Sequence, residues 1–275
     1  MFREKDYLSE DIRGTKFSIN SLENNGFYIL ENSFSEEGIK ILSKIRDCLI
    51  YESESQKKII SNLTGYKLGN LNIQKCFIHK EIWNLLKNSV IIEEIFKYFD
   101  INKIQDIKSV GGNINLPQSI PQAFHRDSSL QDKYLMMFIA LEKITSLNGA
   151  QEIISDKNVN GIKFIDMLKS RFKYGSILLN MNPGDILFRY SSTWHRGTKN
   201  SSLYPRAVPL FTISLGTKKT KNNTKVDIHS FEKKISFRGN YAPEGILRNL
   251  YIYLACNFTR IFHFLIYLTK LFREK

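Results

Sequence analysis

Phe124-His125-Arg126-Asp127 is the stretch whose reading decides the rest of this 275-residue chain. On a β-strand, residues two apart point the same way, so His125 and Asp127 would share one face while Arg126 turns outward. An imidazole and a carboxylate presented together are two candidate metal ligands, and a third must come from another strand. The best candidate is His195, in Trp194-His195-Arg196-Gly197. Two histidines and one carboxylate form a metal site with open coordination positions.

The sequence between these motifs has the texture of short strands. Tyr134–Leu141 is an apolar run, Asn148-Gly149 is a turn signal, and Gln151–Ile154 is a further short run. Ile177–Leu179, Asp185–Phe188 and Ala207–Leu215 continue the pattern, with Pro183-Gly184-Asp185 marking where one strand begins. Many short strands with turn chemistry between them predict a mainly β fold with flanking helices, a jelly roll or barrel of the cupin-like, double-sheet kind.

Upstream, Gly26-Phe27-Tyr28-Ile29-Leu30 is a β-type run. Ser33-Phe34-Ser35-Glu36 has the S-x-x-E spacing of a capping box, and Ile41, Leu42, Ile45 and Leu49 follow at helical spacing. These signals place a helix over about 35–54, and a similar apolar pattern places another over about 80–99. Both are expected to brace one outer face of a sheet. Residues 1–20 read as a polar lead-in.

Composition bounds the function classes. At 42% apolar and 12% aromatic the chain is globular, and three scattered cysteines (Cys48, Cys76, Cys256) form neither a disulfide framework nor a zinc knuckle. The first residues lack the apolar core of a signal peptide, so a reducing cytoplasm is expected. A net charge of +13 favours an anionic partner such as a phosphorylated substrate, an acidic membrane surface or nucleic acid, of which nucleic acid is the least expected, and a generally Lys-rich background explains the charge equally well.

Two segments follow the strand-rich region. Thr217–Lys225 reads as an exposed basic loop or a phosphate-binding strip. From Ile246 to Phe272 a broad apolar face stands opposite Arg248, Arg260, His263 and Lys270; mid-segment charges argue against a membrane span. That helix would pack on the barrel or a second subunit, or lie in the plane of a membrane. The expected organisation is therefore 1–216 as the β domain with its bracing helices, 217–245 as a basic loop region and 246–275 as an amphipathic helical tail.

Two imidazoles and a carboxylate on one face of an octahedral ion are the arrangement of non-haem Fe(II) oxygenases, where a 2-oxo acid chelates through two oxygens and dioxygen takes the last position. The distal carboxylate of such a cosubstrate calls for a bidentate guanidinium. Arg206, at the start of the strand after His195, is placed for that task. An H-x-D triplet is common by chance, and His195 could equally be a hydrogen-bonded core histidine. The order of H-x-D, apolar strand, Asn-Gly turn, Gly-Asp strand, distal His and Arg is what sets the chain apart.

Phe124-His125-Arg126-Asp127-Ser128, the run to Asn148-Gly149-Ala150, Pro183-Gly184-Asp185, and Trp194-His195-Arg196-Gly197 with Asn200, Ser201 and Arg206 resemble the phytanoyl-CoA dioxygenase family. The resemblance covers about residues 20–216. It implies a double-stranded β-helix, Fe(II) bound by His125, Asp127 and His195, and 2-oxoglutarate anchored by Arg206, with O2 as cosubstrate and ascorbate as an optional reductant. Gln122 matches a glutamine of the family motif and would face cosubstrate or substrate. Related halogenases carry a small residue in place of the carboxylate, so Asp127 implies hydroxylation, or the desaturation and ring chemistry that start the same way.

The chain departs from the family at Ser155-Asp156-Lys157-Asn158, where a Pro-Gly-Ser-His turn is common, so the reaction type transfers but the CoA substrate does not. Two other readings stay open. One is a cupin-like lyase or isomerase with the same ligands and no task for Arg206. The other is a membrane- or nucleic-acid-associated barrel with a vestigial metal site.

Overall fold

The computed structural model describes residues 12–61, 69–102, 107–122, 124–128, 134–154, 167, 175–215 and 231–239. The basic loop at 217–225, the amphipathic tail at 246–272 and the Ser155–Asn158 departure lie outside the described residues.

Eleven strands are described: β1 (Arg13–Gly14), β2 (Phe27–Leu30), β3 (Asn70–Ile73), β4 (Ile107–Asn115), β5 (Tyr134–Ile139), β6 (Gln151–Ile154), β7 (Ser176–Leu179), β8 (Ile186–Tyr190), β9 (His195–Gly197), β10 (Arg206–Ser214) and β11 (Phe237–Gly239). Eight of them form one sheet in the order β1-β2-β8-β5-β10-β4-β3-β11, antiparallel at every step except β1 to β2. β6 lies between β7 and β9 in a second, three-stranded sheet.

Alternation along the strands divides the core. Leu135, Met137 and Ile139 of β5, Ile186 and Phe188 of β8, and Phe211 and Ile213 of β10 belong to the cluster that also contains helix residues Leu42, Ile45 and Leu49. The intervening positions Leu187 and Val208 join Ile153 and Leu179 of the smaller sheet, with Phe138 packed against them. The large sheet is therefore sandwiched, helices on one face and the small sheet on the other. Because β5, β8 and β10 are covered on both faces, they read as continuous apolar runs. By the same two-residue period, Arg189 shares the face of Leu187 and Arg206 shares the face of Val208, so both arginines point toward the space between the sheets.

The helices are α1 (Ile19–Asn25), α2 (Glu36–Ser55), α3 (Lys57–Ile60), α4 (Phe77–Lys87) and α5 (Val90–Tyr98). In α2 the buried stripe Leu42, Ile45 and Leu49 faces the sheet, and Glu36 and Glu37 complement the positive end of the helix. Its N-cap is Ser35, whose hydroxyl accepts from Gly38 N–H. Ser33, the first residue of the S-x-x-E pattern, instead donates its hydroxyl to the Leu30 carbonyl.

Three expectations need correction. The helix expected over about 80–99 is two helices: Asn88 and Ser89 close α4 with bonds to Leu85 and Leu86 carbonyls, and Ser89, in extended conformation, starts α5. The stretch 12–20, read as a polar lead-in, supplies β1 and the start of α1. Within the region taken as a basic loop, residues 231–239 add the edge strand β11 beside β3 and bury Ile235. The apolar signal there, one isoleucine and two phenylalanines among charges, is too sparse for periodicity to detect.

Candidate metal centre

His125 is not on a strand proper. It and His195 exchange both backbone hydrogen bonds (His125 N–H to His195 carbonyl, 2.9 Å; the reverse, 3.0 Å) as an isolated antiparallel bridge. Direct opposition puts both imidazoles on one face, with ring centroids 4.3 Å apart. The flanking residues pair on the other face: the Arg126 guanidinium lies 5.0 Å from the Trp194 ring centre and the Arg196 guanidinium 4.8 Å from that of Phe124. Arg196 is also ion-paired with Glu152 of β6. Two cation–π contacts thus rivet the short segment to β9, each worth about 0.5–2 kcal/mol.

After the bridge the chain turns away, and the N–H groups of Asp127 and Ser128 both bond to the Ser191 carbonyl. This corrects the strand expectation: the two-residue period is not what brings Asp127 to His125. The carboxylate arrives because its backbone is tied to the turn after β8. Its Oδ1 lies 3.6 Å from His125 Nε2 and its Oδ2 3.5 Å from His195 Nε2. Ligand-capable atoms of His125, Asp127 and His195 all lie within 4.8 Å of one another, a spacing that one ion can bridge. The Asp127 side chain is 29% exposed, so the cluster has an open side for ligands.

Protonation suits a metal. Burial alone would raise the Asp127 carboxyl, yet the Arg189 guanidinium and the two imidazoles hold it well below the usual carboxylate range. Burial, then the Arg189 charge, drives His195 well below its ordinary value, so the ring is neutral. An ionised carboxylate and a neutral imidazole are the forms a cation requires.

Arg189 is the site residue that sequence reasoning missed. At 1% exposure, its Nη2 donates to Asp127 Oδ2 at 2.6 Å, and its Nη1 lies 2.6 Å from His195 Nδ1. The Phe138 ring and the Met136 sulfur complete its pocket. His195 Nδ1 also lies 2.9 Å from the Thr193 carbonyl. That carbonyl needs a proton on Nδ1, which leaves the Nε2 lone pair free for a metal; in this tautomer Arg189 is a neighbouring charge, not a donor to the ring. The available signal was one cation inside the apolar run Ile186-Leu187-Phe188-Arg189-Tyr190.

Arg206 begins β10 opposite Asn115 of β4. It is buried, and it donates from Nε to the Asn148 carbonyl and from Nη2 to the Gly149 carbonyl at 2.7 Å. Burial pushes its guanidinium down to about 10, opposed by Glu142, and among the described residues no carboxylate comes within ion-pair distance. Asn115 Oδ1, on the residue paired with Arg206, is buried without a hydrogen-bond partner as well. Gly149 makes this close approach possible: its φ is +88°, and an added Cβ would sit 2.2 Å from Asn115 Nδ2 and 3.3 Å from Arg206 Nη2. The Asn115 amide also donates to the carbonyl of Thr198, three residues past His195 and just beyond the end of β9.

Gln122 lies beside the same strand. Its N–H donates to the Gly197 carbonyl, and its side-chain oxygen accepts from Gly197 N–H, both at 2.9 Å. The oxygen end of Gln122 is thus engaged in holding β9.

No protein-family model and no curated protein matches the chain. Among solved structures it is similar to AviO1 from Streptomyces viridochromogenes (TM-score 0.48, 13% identity, covering 70% of this chain and 91% of that one). It is also similar to EctD from S. alaskensis with bound Fe (0.46, 14%, 82% and 88%). A third is SnoN, a non-heme alpha-ketoglutarate-dependent epimerase from nogalamycin biosynthesis (0.46, 12%, 70% and 78%). Likenesses of that size leave the chemistry to be read from the chain's own residues.

Proposed function

We propose that the chain is an Fe(II)/2-oxoglutarate-dependent oxygenase with a double-stranded β-helix core, akin to the phytanoyl-CoA dioxygenase family, that hydroxylates an unactivated C–H bond of a small molecule. The observation that carries this reading is the convergence of His125, Asp127 and His195, one carboxylate held ionised and one ring held neutral, on a face open to solvent. Three protein ligands leave three octahedral positions free.

With iron and 2-oxoglutarate bound, the chemistry supplied is oxidative decarboxylation of the keto acid to succinate and CO2, with one oxygen atom delivered to the substrate. The chain's own part is to bind and orient. His125 and His195 are fixed by their shared bridge and Asp127 by the Ser191 carbonyl, so the ligands are pre-arranged before any ion arrives. Arg206, buried and without a carboxylate partner among the described residues, is a cationic socket for the distal carboxylate of the keto acid. A guanidinium already fixed by two carbonyls loses little further freedom on forming a bidentate pair. This socket is what favours the oxygenase over a cupin-like lyase or isomerase, which has no use for it.

The test is succinate release from 2-oxoglutarate by Fe(II)-loaded protein across a panel of phosphorylated, CoA-linked, nucleotide-linked and neutral substrates. Succinate forms with at least one of them and Asp127→Ala abolishes it. Equal turnover by Asp127→Ala, or none by wild type with any candidate, contradicts the proposal.

A further inference from the structure

Nothing in the three-ligand reading requires a buried arginine behind the ligands, yet Arg189 is 1% exposed and in contact with two of them. The two carboxylate oxygens of Asp127 differ little in their distance to an imidazole: Oδ1 is 3.6 Å from His125 Nε2 and Oδ2 is 3.5 Å from His195 Nε2. On that geometry alone an ion at the centre could take both oxygens. Arg189 breaks the symmetry, because its Nη2 donates to Oδ2 at 2.6 Å and makes no bond to Oδ1.

We propose that Arg189 is a positioning residue that keeps Asp127 a one-oxygen ligand, so that three coordination positions stay free. This rests on the reading of the triad as a metal site. The count matters: a keto acid bound through two oxygens and dioxygen bound through one need three positions, and a two-oxygen Asp127 would leave two.

The same side chain sets how tightly the ion is held. It helps by orienting Asp127, and it opposes by placing a positive charge beside a doubly charged cation in a poorly solvated pocket. The opposing effect dominates, because Asp127 is also tied through its backbone to Ser191 and stays near the imidazoles without Arg189, whereas the charge repulsion has no substitute. β8 carries Arg189 on its inward face and Phe138 and Met136 of β5 pack against it, so its reach to Oδ2 is fixed by the sheet and not by a loop.

The experiment is titration of metal-free protein with Co(II), followed by visible absorption and by heat, for wild type, Arg189→Gln and Arg189→Met, each then titrated with 2-oxoglutarate. Glutamine removes the charge but keeps an N–H for Oδ2; methionine removes both. Wild type binds one Co(II), and both variants bind it more tightly, on the order of tenfold, because the neighbouring positive charge is gone. Arg189→Gln keeps the wild-type spectrum. Arg189→Met shows a changed spectrum as the second oxygen joins the ion, and its spectral response to 2-oxoglutarate is diminished.

Wild-type affinity and spectrum in Arg189→Met overturn the proposal while leaving the metal site standing. If Arg189→Met does not fold, Arg189→Ala, which also removes both charge and donor, is read in its place, and its wild-type affinity and spectrum overturn the proposal in the same way. No Co(II) uptake by wild type overturns the metal-site reading and this proposal together.

Discussion

Among single residues, Arg206 has the sharpest expected phenotype. A buried guanidinium with no carboxylate partner among the described residues is costly unless a ligand supplies one. Arg206→Met is expected to weaken 2-oxoglutarate binding about a hundredfold, the scale for removing one side of a desolvated charge pair. Mn(II) affinity should stay near wild type, because Arg206 does not contact the triad ligands. Arg206→Lys should recover only part of the loss, since an ammonium lacks the two-pronged geometry. Calorimetric titrations of keto acid and of Mn(II) check both halves.

His79 makes a second residue-scale case, away from the candidate metal site. It is fully buried, donating from Nε2 to the Gly111 carbonyl and accepting at Nδ1 from Cys76 N–H, and burial lowers its pKa. A histidine that stays neutral in the fold but protonates freely when unfolded costs nothing at high pH. As pH falls below the ordinary value of about 6.5, the unfolded state gains a proton that the fold refuses, and stability drops. The melting temperature of metal-free protein should therefore fall on acidification through that range, and His79→Gln should flatten part of the slope.

At the scale of elements, the turn after β5 is the most sensitive part of the site's support. Gly149→Ala forces a side chain into a left-handed backbone and against Asn115, so a loss of about 1–3 kcal/mol is expected, with displacement of the Arg206 guanidinium. Chemical denaturation measures the first effect and keto-acid affinity the second.

Elements also show what the sequence makes legible. β5, β6, β8 and β10 can be found from apolar runs and Gly, Pro and Asn punctuation, because two-sided burial writes itself into consecutive residues. His195 and Arg206 can be singled out as candidates from their place in that order. Arg189 cannot, since its meaning depends on Asp127, sixty-two residues earlier in sequence, lying across the sheet from β8. The conformation of 124–128 also escapes sequence reading: whether H-x-D is a strand or a single bridged residue is decided by Ser191, whose carbonyl takes the N–H groups of Asp127 and Ser128. Both misses concern long-range hydrogen bonds, which leave no periodic trace.

For the whole molecule, the stretch 231–239 closes the edge of the large sheet on the helical side. Phe77 and Gln74 N–H groups bond to carbonyls of Glu232 and Ser236, and Gln56 Nε2 donates to the Ile235 carbonyl, so α3, α4 and β3 converge on this strap. Ile235 is 3% exposed within the main core, and Ile235→Ala should cost about 2–5 kcal/mol in denaturation. No helix among the described residues is long and apolar enough to cross a membrane. The net charge of +13 is explained equally well by a Lys-rich background, so it does not select a substrate.

The most direct test of the central claim is the binding of 2-oxoglutarate to the whole protein with and without Mn(II) by calorimetry. One equivalent should bind when the metal is present, with binding lost on omitting the metal and in Asp127→Ala, and weakened about a hundredfold in Arg206→Met. Keto-acid binding that persists without metal and in Asp127→Ala, or that is absent from wild type with metal bound, would contradict the account.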